Sequence, residues 1–363
     1  MTKTILPVAF FFGANNKSSY CSLYSHIYNP YEKGNHIILK GGPGTGKSTI
    51  MRKVAQSLEK KGLYVERGYC SADPNSLDVV IAPEINFSIL DGTAPHTFDP
   101  VLPGINEHIV DLSVAWDKDY LRLHREEIGE LTNRNKELHK KVAEFLKAAS
   151  SIELQSVRLC GKYLNAQKLD RYVLRLCSML IPSRKSSKRG KEHKRFLSAV
   201  TPDGIVVEYD TVVALSEKIV TIKDEYSLAS SYIVSAVSEY ALSMGYDVYK
   251  CFCPLFPDDK AEHLFIPELK VCIFTENTYH FSIDDCSSKV HATRFFDNDG
   301  IKESREKLKF YKKAKKELID EAVRKLSIAL DIHDRLEEYY IKATDFNVIN
   351  NITEKILTEA DSI

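Results

Sequence analysis

Each half of the chain carries a few short apolar runs followed by a long stretch of heptad-like spacing. Near the N-terminus, "ILPVAFFFGA" is too short to span a bilayer and lacks a basic flank, so it predicts a buried strand. "HIILK", starting at His36, predicts another, and the residues beyond it take helical spacing up to Gly62. "YVERGYC" and "INFSILDG" predict two more strands, the second closing on Asp91. After Trp116 the period changes. Leu121, Ile128, Asn135, Val142 and Ala149 fall at one heptad position, and His124, Leu131, Leu138, Phe145 and Ile152 at the other. That pattern predicts a long helix packed as in a coiled coil, with Asn135 fixing register and His124 a seam residue. A second helix over roughly 154–181 is expected to fold back as a hairpin. The C-terminal segment repeats the arrangement: Ile319, Leu326, His333 and Tyr340 alternate with Ala322, Ala329, Leu336 and Ala343, and "YYIKATDF" echoes "KYLNAQKL".

Between the strand at His36 and its helix lies "GGPGTGKST". Gly41, Gly46, Lys47 and Ser48 match G-x-x-x-x-G-K-[ST] in a strand–loop–helix setting. Such a loop works through its backbone. Glycines let the chain curl until several N–H groups converge on phosphate oxygens, and the helix N-terminus adds its positive end. The whole run, Gly41, Gly42, Pro43, Gly44, Thr45, Gly46, Lys47, Ser48 and Thr49, is the expected cradle. Lys47 would sit on the β- and γ-phosphates, and Ser48 and Asp91 would hold Mg²⁺. Lys60 and Lys61 suit the negative end of the helix that Gly62 terminates.

A shift of 183 residues lays this unit over "IVTIKDEYSLASSYIVSAVSEYALSMGYDV". With one further residue, "APEINFSILDGTAPH" lies over "IPELKVCIFTENTYH". Similarity of this length indicates a duplicated unit. The mismatches fall on the chemistry: Gly41 becomes Asp224, Gly44 Ser227, Gly46 Ala229, Lys47 Ser230 and Asp91 Thr275. An acid replaces a glycine and the cation is gone, so the second loop should bind a polyphosphate poorly or not at all. Glu84 and His96 are candidates for a general base, but both recur as Glu268 and His280 in the copy that lost its loop, which favours a structural role equally. Asp73, in "SADPNS", is a candidate for contact with an acceptor; turn chemistry is the competing reading.

Composition sets broad limits. Hydrophobic residues make up 44% and charged residues 28% of 363, and Lys+Arg and Asp+Glu are both 50, so no excess charge favours a polyanion. The eight cysteines lack CxxC spacing, and Cys251 and Cys253 read as neighbours on one side of a buried strand, reduced as in a cytoplasmic protein. "SRKSSKRGKEHKR" reads as a basic, solvated linker; it is short and lacks interleaved aromatics, so nucleic acid is not the expected partner even at this, the one basic run. No membrane contact is expected.

The chain resembles a family of bacterial P-loop ATPases, common in spore-forming Firmicutes, with two tandem P-loop units. The resemblance rests on "FFGAN", "LKGGPGTGKST", "CSADPNSLDVVIAPEINFSILDGTAPHTFDPVLPG" and "TPDGIV" and covers nearly the whole chain. It implies binding of ATP, or another nucleoside triphosphate, with Mg²⁺, and hydrolysis. The chain departs from the family at Asp224 through Tyr232. The expected fold is α/β: two tandem P-loop NTPase-like three-layer α/β/α lobes with mainly parallel sheets, each followed by a helical arm. The expected boundaries are 1–115 and 116–182 for the first lobe and arm, 183–195 for the linker, and 196–300 and 301–363 for the second lobe and arm. Lobe-to-lobe packing would make an internal pseudo-dimer. Three functions follow: an Mg-dependent ATPase with a structural or regulatory second site; a small-molecule or nucleotide kinase; or a nucleotide-gated module whose arms bind a protein partner. Asp91 is followed by Gly92, not Glu, which argues against a fast motor; Arg294 is a candidate for stabilising charge on the phosphates.

Overall fold

The structure, a computed structural model, describes residues 7–94, 97–184, 188–284 and 286–361. His96 lies outside the described residues. The first half opens with β1 (Val8–Phe11), a hairpin of β2 (Gly13–Asn16) and β3 (Ser19–Ser22), then β4 (Asn35–Lys40) and α1 (Lys47–Lys60). It continues through β5 (Glu66–Tyr69), β6 (Leu77–Ala82), β7 (Phe87–Asp91) and β8 (Glu107–Asp111) to α2 (Lys118–Leu123), α3 (Arg125–Gly161) and α4 (Ala166–Leu180). The second half begins with β9 (Glu192–Arg195), the hairpin β10 (Ser198–Thr201) and β11 (Gly204–Val207), and a short α5 (Tyr209–Leu215). Then come β12 (Lys218–Lys223), α6 (Ala229–Ser243), β13 (Val248–Cys253), β14 (Phe256–Ile266), β15 (Val271–Glu276) and β16 (Ser288–His291). It closes with α7 (Asn298–Glu303), α8 (Arg305–Ala343) and α9 (Phe346–Asp361).

The two sheets have one topology. The first runs β1-β5-β6-β7-β4-β8 and the second, from the matching edge, β9-β13-β14-β15-β12-β16. In each, the third strand, β6 or β14, is antiparallel to both neighbours and the remaining pairs are parallel. The duplication therefore reaches back to β1, beyond the segment that sequence self-similarity marked.

The layering differs from the expected α/β/α. Ile37 and Leu39 of β4 face outward and pack with Ile50, Met51, Val54 and Leu58 of α1, whereas Ile38 faces inward. There it joins Phe10, Val79 and Leu90 against Phe265, Cys272 and Phe274 of the second sheet. The second sheet thus replaces the inner helical layer of the first, and the reverse holds by symmetry. A strand buried on both faces must be apolar throughout, which is why "HIILK" and "SILD" show no alternation.

The arms also differ from the hairpins expected. The early turns of α3 meet the late turns of α8: Leu131 and Leu138 cluster with Ala329, Ile332 and Leu336, and Val142, Leu146 and Ala149 with Ile319, Ala322 and Leu326. The long helices therefore pair antiparallel with each other. α3 carries the chain across to the second half, where α4 packs on α6; α8 returns it to the first half, where α9 packs on α1. Paired backbone bonds fix both crossings. Asp117 N–H donates to Ala343 O at 2.7 Å and Asp345 N–H to Ala115 O at 2.8 Å; Asp297 N–H donates to Tyr163 O and Asn165 N–H to Phe295 O, both at 2.8 Å. Heptad spacing specifies that a helix has a partner but not which one.

Two smaller corrections concern the linker and the CxC. The last four residues read as linker are β9, and Arg195 is 2% exposed, with its guanidinium 2.9 Å from the fully buried Glu66. A basic run looks solvated until a buried carboxylate elsewhere claims one member. Cys251 and Cys253 do not share a side: register shifts on either side of Phe252 place Cys251 between the sheets and Cys253 beside the long helices. All eight cysteines are free. Asn135 sits half-buried on the seam with its Oδ1 unbonded, so no register-fixing bond is present there.

Candidate functional site

The loop after β4 lies at the end of the central parallel strands. Gly44 and Gly46 have φ of 69° and 85°, the left-handed region in which a side chain is strained. Gly46 sits at the entry to α1, whose first turn begins with Lys47, Ser48 and Thr49. Thr45 Oγ1 donates to Gly42 O at 2.8 Å and pins the curl. Lys47 Nζ folds back onto the carbonyls of Gly41 and Gly42, at 3.0 and 2.7 Å, and lies 3.6 Å from Asp91 Oδ2. Asp91, at the end of β7, is 8% exposed and accepts the Thr93 N–H at 2.8 Å. Thr93 Oγ1 in turn donates to Gly41 O at 2.9 Å and stitches the loop to the strand end. Ser48 Oγ accepts the Leu77 N–H at 2.9 Å. The fold thus gathers Gly41 through Thr49, with Pro43 half-buried in the turn, against Asp91.

The second half supplies the rest of the surroundings. Helix α8 lies directly on the loop. Gly44 N–H donates to Glu337 Oε1 at 3.0 Å. A Cβ on Gly44 would come within 2.9 Å of Glu337 O and Ile341 Cγ1, and one on Gly42 within 2.9 Å of the Tyr340 ring and 3.2 Å of Trp116. These glycines are required by the helix as well as by the turn. One turn before Glu337, the Nδ1 of His333 is buried without a hydrogen bond, 4.0 Å from the Glu337 carboxylate. Asp334, on the same face, is raised above the usual carboxylate range by partial burial and by the nearby Asp73 and Asp331, against the opposing effect of His333. Glu337 and Thr93 carry no sequence signal of a site, and His333 and Tyr340 read from sequence only as heptad positions of a long helix. Thr93 alone has a local clue, its place just after Asp91; Glu337 and Tyr340 lie nearly 300 residues from the loop they touch.

The second loop keeps one left-handed residue of the two, since α6 already begins at Ala229, the counterpart of Gly46. Ser227, the counterpart of Gly44, holds φ at 51°. Asp224, the counterpart of Gly41, is 2% exposed and accepts the Tyr226 N–H at 3.1 Å and the Ser230 N–H at 2.9 Å. Burial raises its carboxyl, and these amides oppose the shift. The anion that the amides of such a loop attract is here a side chain of the loop itself.

Of the other candidates, Glu84 and Arg294 lie away from this centre, and Asp73 lies near Asp334 but is engaged in its own turn. Glu84 is exposed in the turn between β6 and β7, where Asn35 N–H donates to Asn86 O, and accepts the Tyr64 N–H at 3.3 Å. That turn lies where β4 begins, at the opposite end from the loop. The matching turn at Glu268 has the same shape, so the shared Pro-Glu serves a left-handed turn at Asn86 and Lys270. Asp73 caps its own turn, accepting the Asn75 N–H at 3.1 Å and the Ser76 hydroxyl at 2.5 Å. Arg294 is exposed beside Phe295 and Tyr172 in the second half, in the company of α4, away from the loop. His280, the counterpart of His96, is buried and bonded to Ser198 Oγ at 3.0 Å, a structural position.

Two groups of metal-ligating side chains occur among the described residues: Glu262, His263 and His280, and His333, Asp334 and Glu337. The first already has a cation, since Lys260 Nζ lies 3.6 Å from Glu262. The second borders the loop. No helix among the described residues is long and apolar enough to cross a membrane. No protein-family model, no curated protein and no solved structure matches the chain.

Proposed function

We propose that the chain binds one nucleoside triphosphate, ATP in the first instance, with Mg²⁺ at the loop after β4, and hydrolyses it slowly. The observation that supports this most directly is the loop itself: left-handed Gly44 and Gly46 curl the chain at the start of α1, the backbone a phosphate-binding loop needs, with Lys47 3.6 Å from Asp91. A donor set of amides plus one ammonium is the chemistry a polyphosphate needs, and the glycines leave no Cβ in the way. On nucleotide entry Lys47 would exchange the Gly41 and Gly42 carbonyls for phosphate oxygens. Ser48 and Asp91 would hold the Mg²⁺, which supplies charge neutralisation at the phosphates when bound. Asp91 is followed by Gly92, so no adjacent acid activates water, and slow turnover is the expectation. The kinase reading loses support because Asp73 is engaged in its own turn.

Purified protein with ATP and Mg²⁺ should release phosphate, and Lys47→Ala should weaken nucleotide binding at least about tenfold, the loss of a charge-assisted contact. Phosphate release unchanged by Lys47→Ala would refute this reading. ADP formed only when a metabolite pool is added would favour phosphotransfer instead.

A further inference from the structure

Helix α8 places a carboxylate in a loop built for phosphate. The Glu337 Oε1 lies 3.0 Å from the Gly44 N–H, and the helix backbone fits so closely that Gly44 tolerates no Cβ. Gly44 is one of the two left-handed glycines of the loop. Lys47 gives Glu337 no direct ion pair; it is held by two carbonyls and faces Asp91. The charged and titratable groups near Glu337 are His333 on its own helix, Asp334 beside it and Asp73 close to Asp334, and the Gly44 amide faces its carboxylate. We propose that Glu337 is a built-in competitor for the phosphate site, holding the Gly44 amide in the nucleotide-free chain and leaving it when a polyphosphate enters.

First, a triphosphate carries several negative charges, and no second anion can share that amide with it without strong repulsion in a half-buried setting. Second, the loop in the other half meets the same electrostatic demand with Asp224, an anion that is part of the loop and cannot leave. In the first half the anion comes from a separate element, so the same device becomes reversible. Third, Glu337 belongs to α8, and α8 forms the seam with α3. Displacing the 333–341 turns disturbs that seam at Leu336 and the aromatic cover of Trp116 and Tyr340, whose rings lie 5.3 Å apart. Nucleotide occupancy is thereby coupled to the long helices, and through α3 to the second half.

This inference rests on the nucleotide reading of the first loop. Binding of ATPγS with Mg²⁺ is measured by calorimetry for the wild-type chain, Glu337→Gln and Glu338→Gln. Glu338 is the next residue on α8, is exposed and loses the same charge, so it controls for the general field. Glu337→Gln should bind at least about fivefold tighter than wild type, because a neutral amide competes less for the site, while Glu338→Gln should match wild type. If Glu337→Gln binds no tighter than Glu338→Gln, or more weakly, the competitor role is overturned while the nucleotide reading stands. If neither wild type nor Glu337→Gln binds, both fall.

Discussion

Glu153, on α3, is 5% exposed and is clamped by Lys260 at 3.0 Å and Lys315 at 2.6 Å. Burial pushes its carboxyl up, but the two lysines outweigh burial and bring it down to about 2. A carboxyl depressed below its unfolded value adds stability that is complete above the unfolded pKa of about 4.5 and is lost as pH falls from there through about 2. Replacing it by Gln leaves Lys260 buried with a weaker partner and should cost about 3–5 kcal/mol at neutral pH. Urea unfolding should show the gap between wild type and Glu153→Gln shrinking below about pH 4.5, as wild type loses the pair. A gap constant from pH 7 to 3 would contradict the pairing. Pairs of this kind leave little trace in a sequence. The loop from Gly41 to Thr49 announces itself because its spacing is local. Arg195 against Glu66 joins positions 129 apart, and Gly44 against Glu337 joins positions 293 apart. Only the folded chain shows such pairs, because hydrogen-bond partners leave no periodic trace.

At the scale of elements, the strands and long helices were legible, and their partners were not. Buried strands read as apolar runs, and the heptad positions Leu131, Leu138, Leu326 and Leu336 are buried as the spacing required. What spacing does not carry is address. The apolar face of α1 is completed by Ile349, Ile356 and Ala360 of α9, the last helix of the chain, and the N–H groups at 117 and 345 lock that crossing. The first half is therefore incomplete without the end of the second. Removing residues 346–361 should leave α1 with an exposed apolar stripe, lower the thermal midpoint by several degrees and weaken ATP binding, although no loop residue is touched. Thermal unfolding followed by circular dichroism, with calorimetric titration of ATP, measures both. A truncated chain that melts and binds as the full chain does would mean that α9 is not part of the first half's core.

The whole molecule is an intramolecular pseudo-dimer with matched sheets facing each other, crossed arms and a single seam between α3 and α8. Such symmetry would favour two equal sites, and the asymmetry lies in a few residues of each loop. The first loop has glycines at left-handed positions, an ammonium and a strand-end carboxylate. The second has Ser227 in the left-handed turn, Ser230 in place of the ammonium and Thr275, whose hydroxyl bonds to Glu262 O at 2.5 Å, in place of the carboxylate. Calorimetry with ATP and Mg²⁺ should therefore give one site per chain. Asp224→Gly sharpens the test, because it removes the internal anion and frees the Tyr226 and Ser230 amides without restoring either charge. A loop defined only by its curl would then become a second site; a loop that also needs its ammonium and its metal carboxylate would not. The expected stoichiometry stays at one in Asp224→Gly, with the first site's affinity unchanged. A rise to two would show that the internal carboxylate alone keeps the second half empty, and that the missing lysine and aspartate matter less than the geometry of the amides.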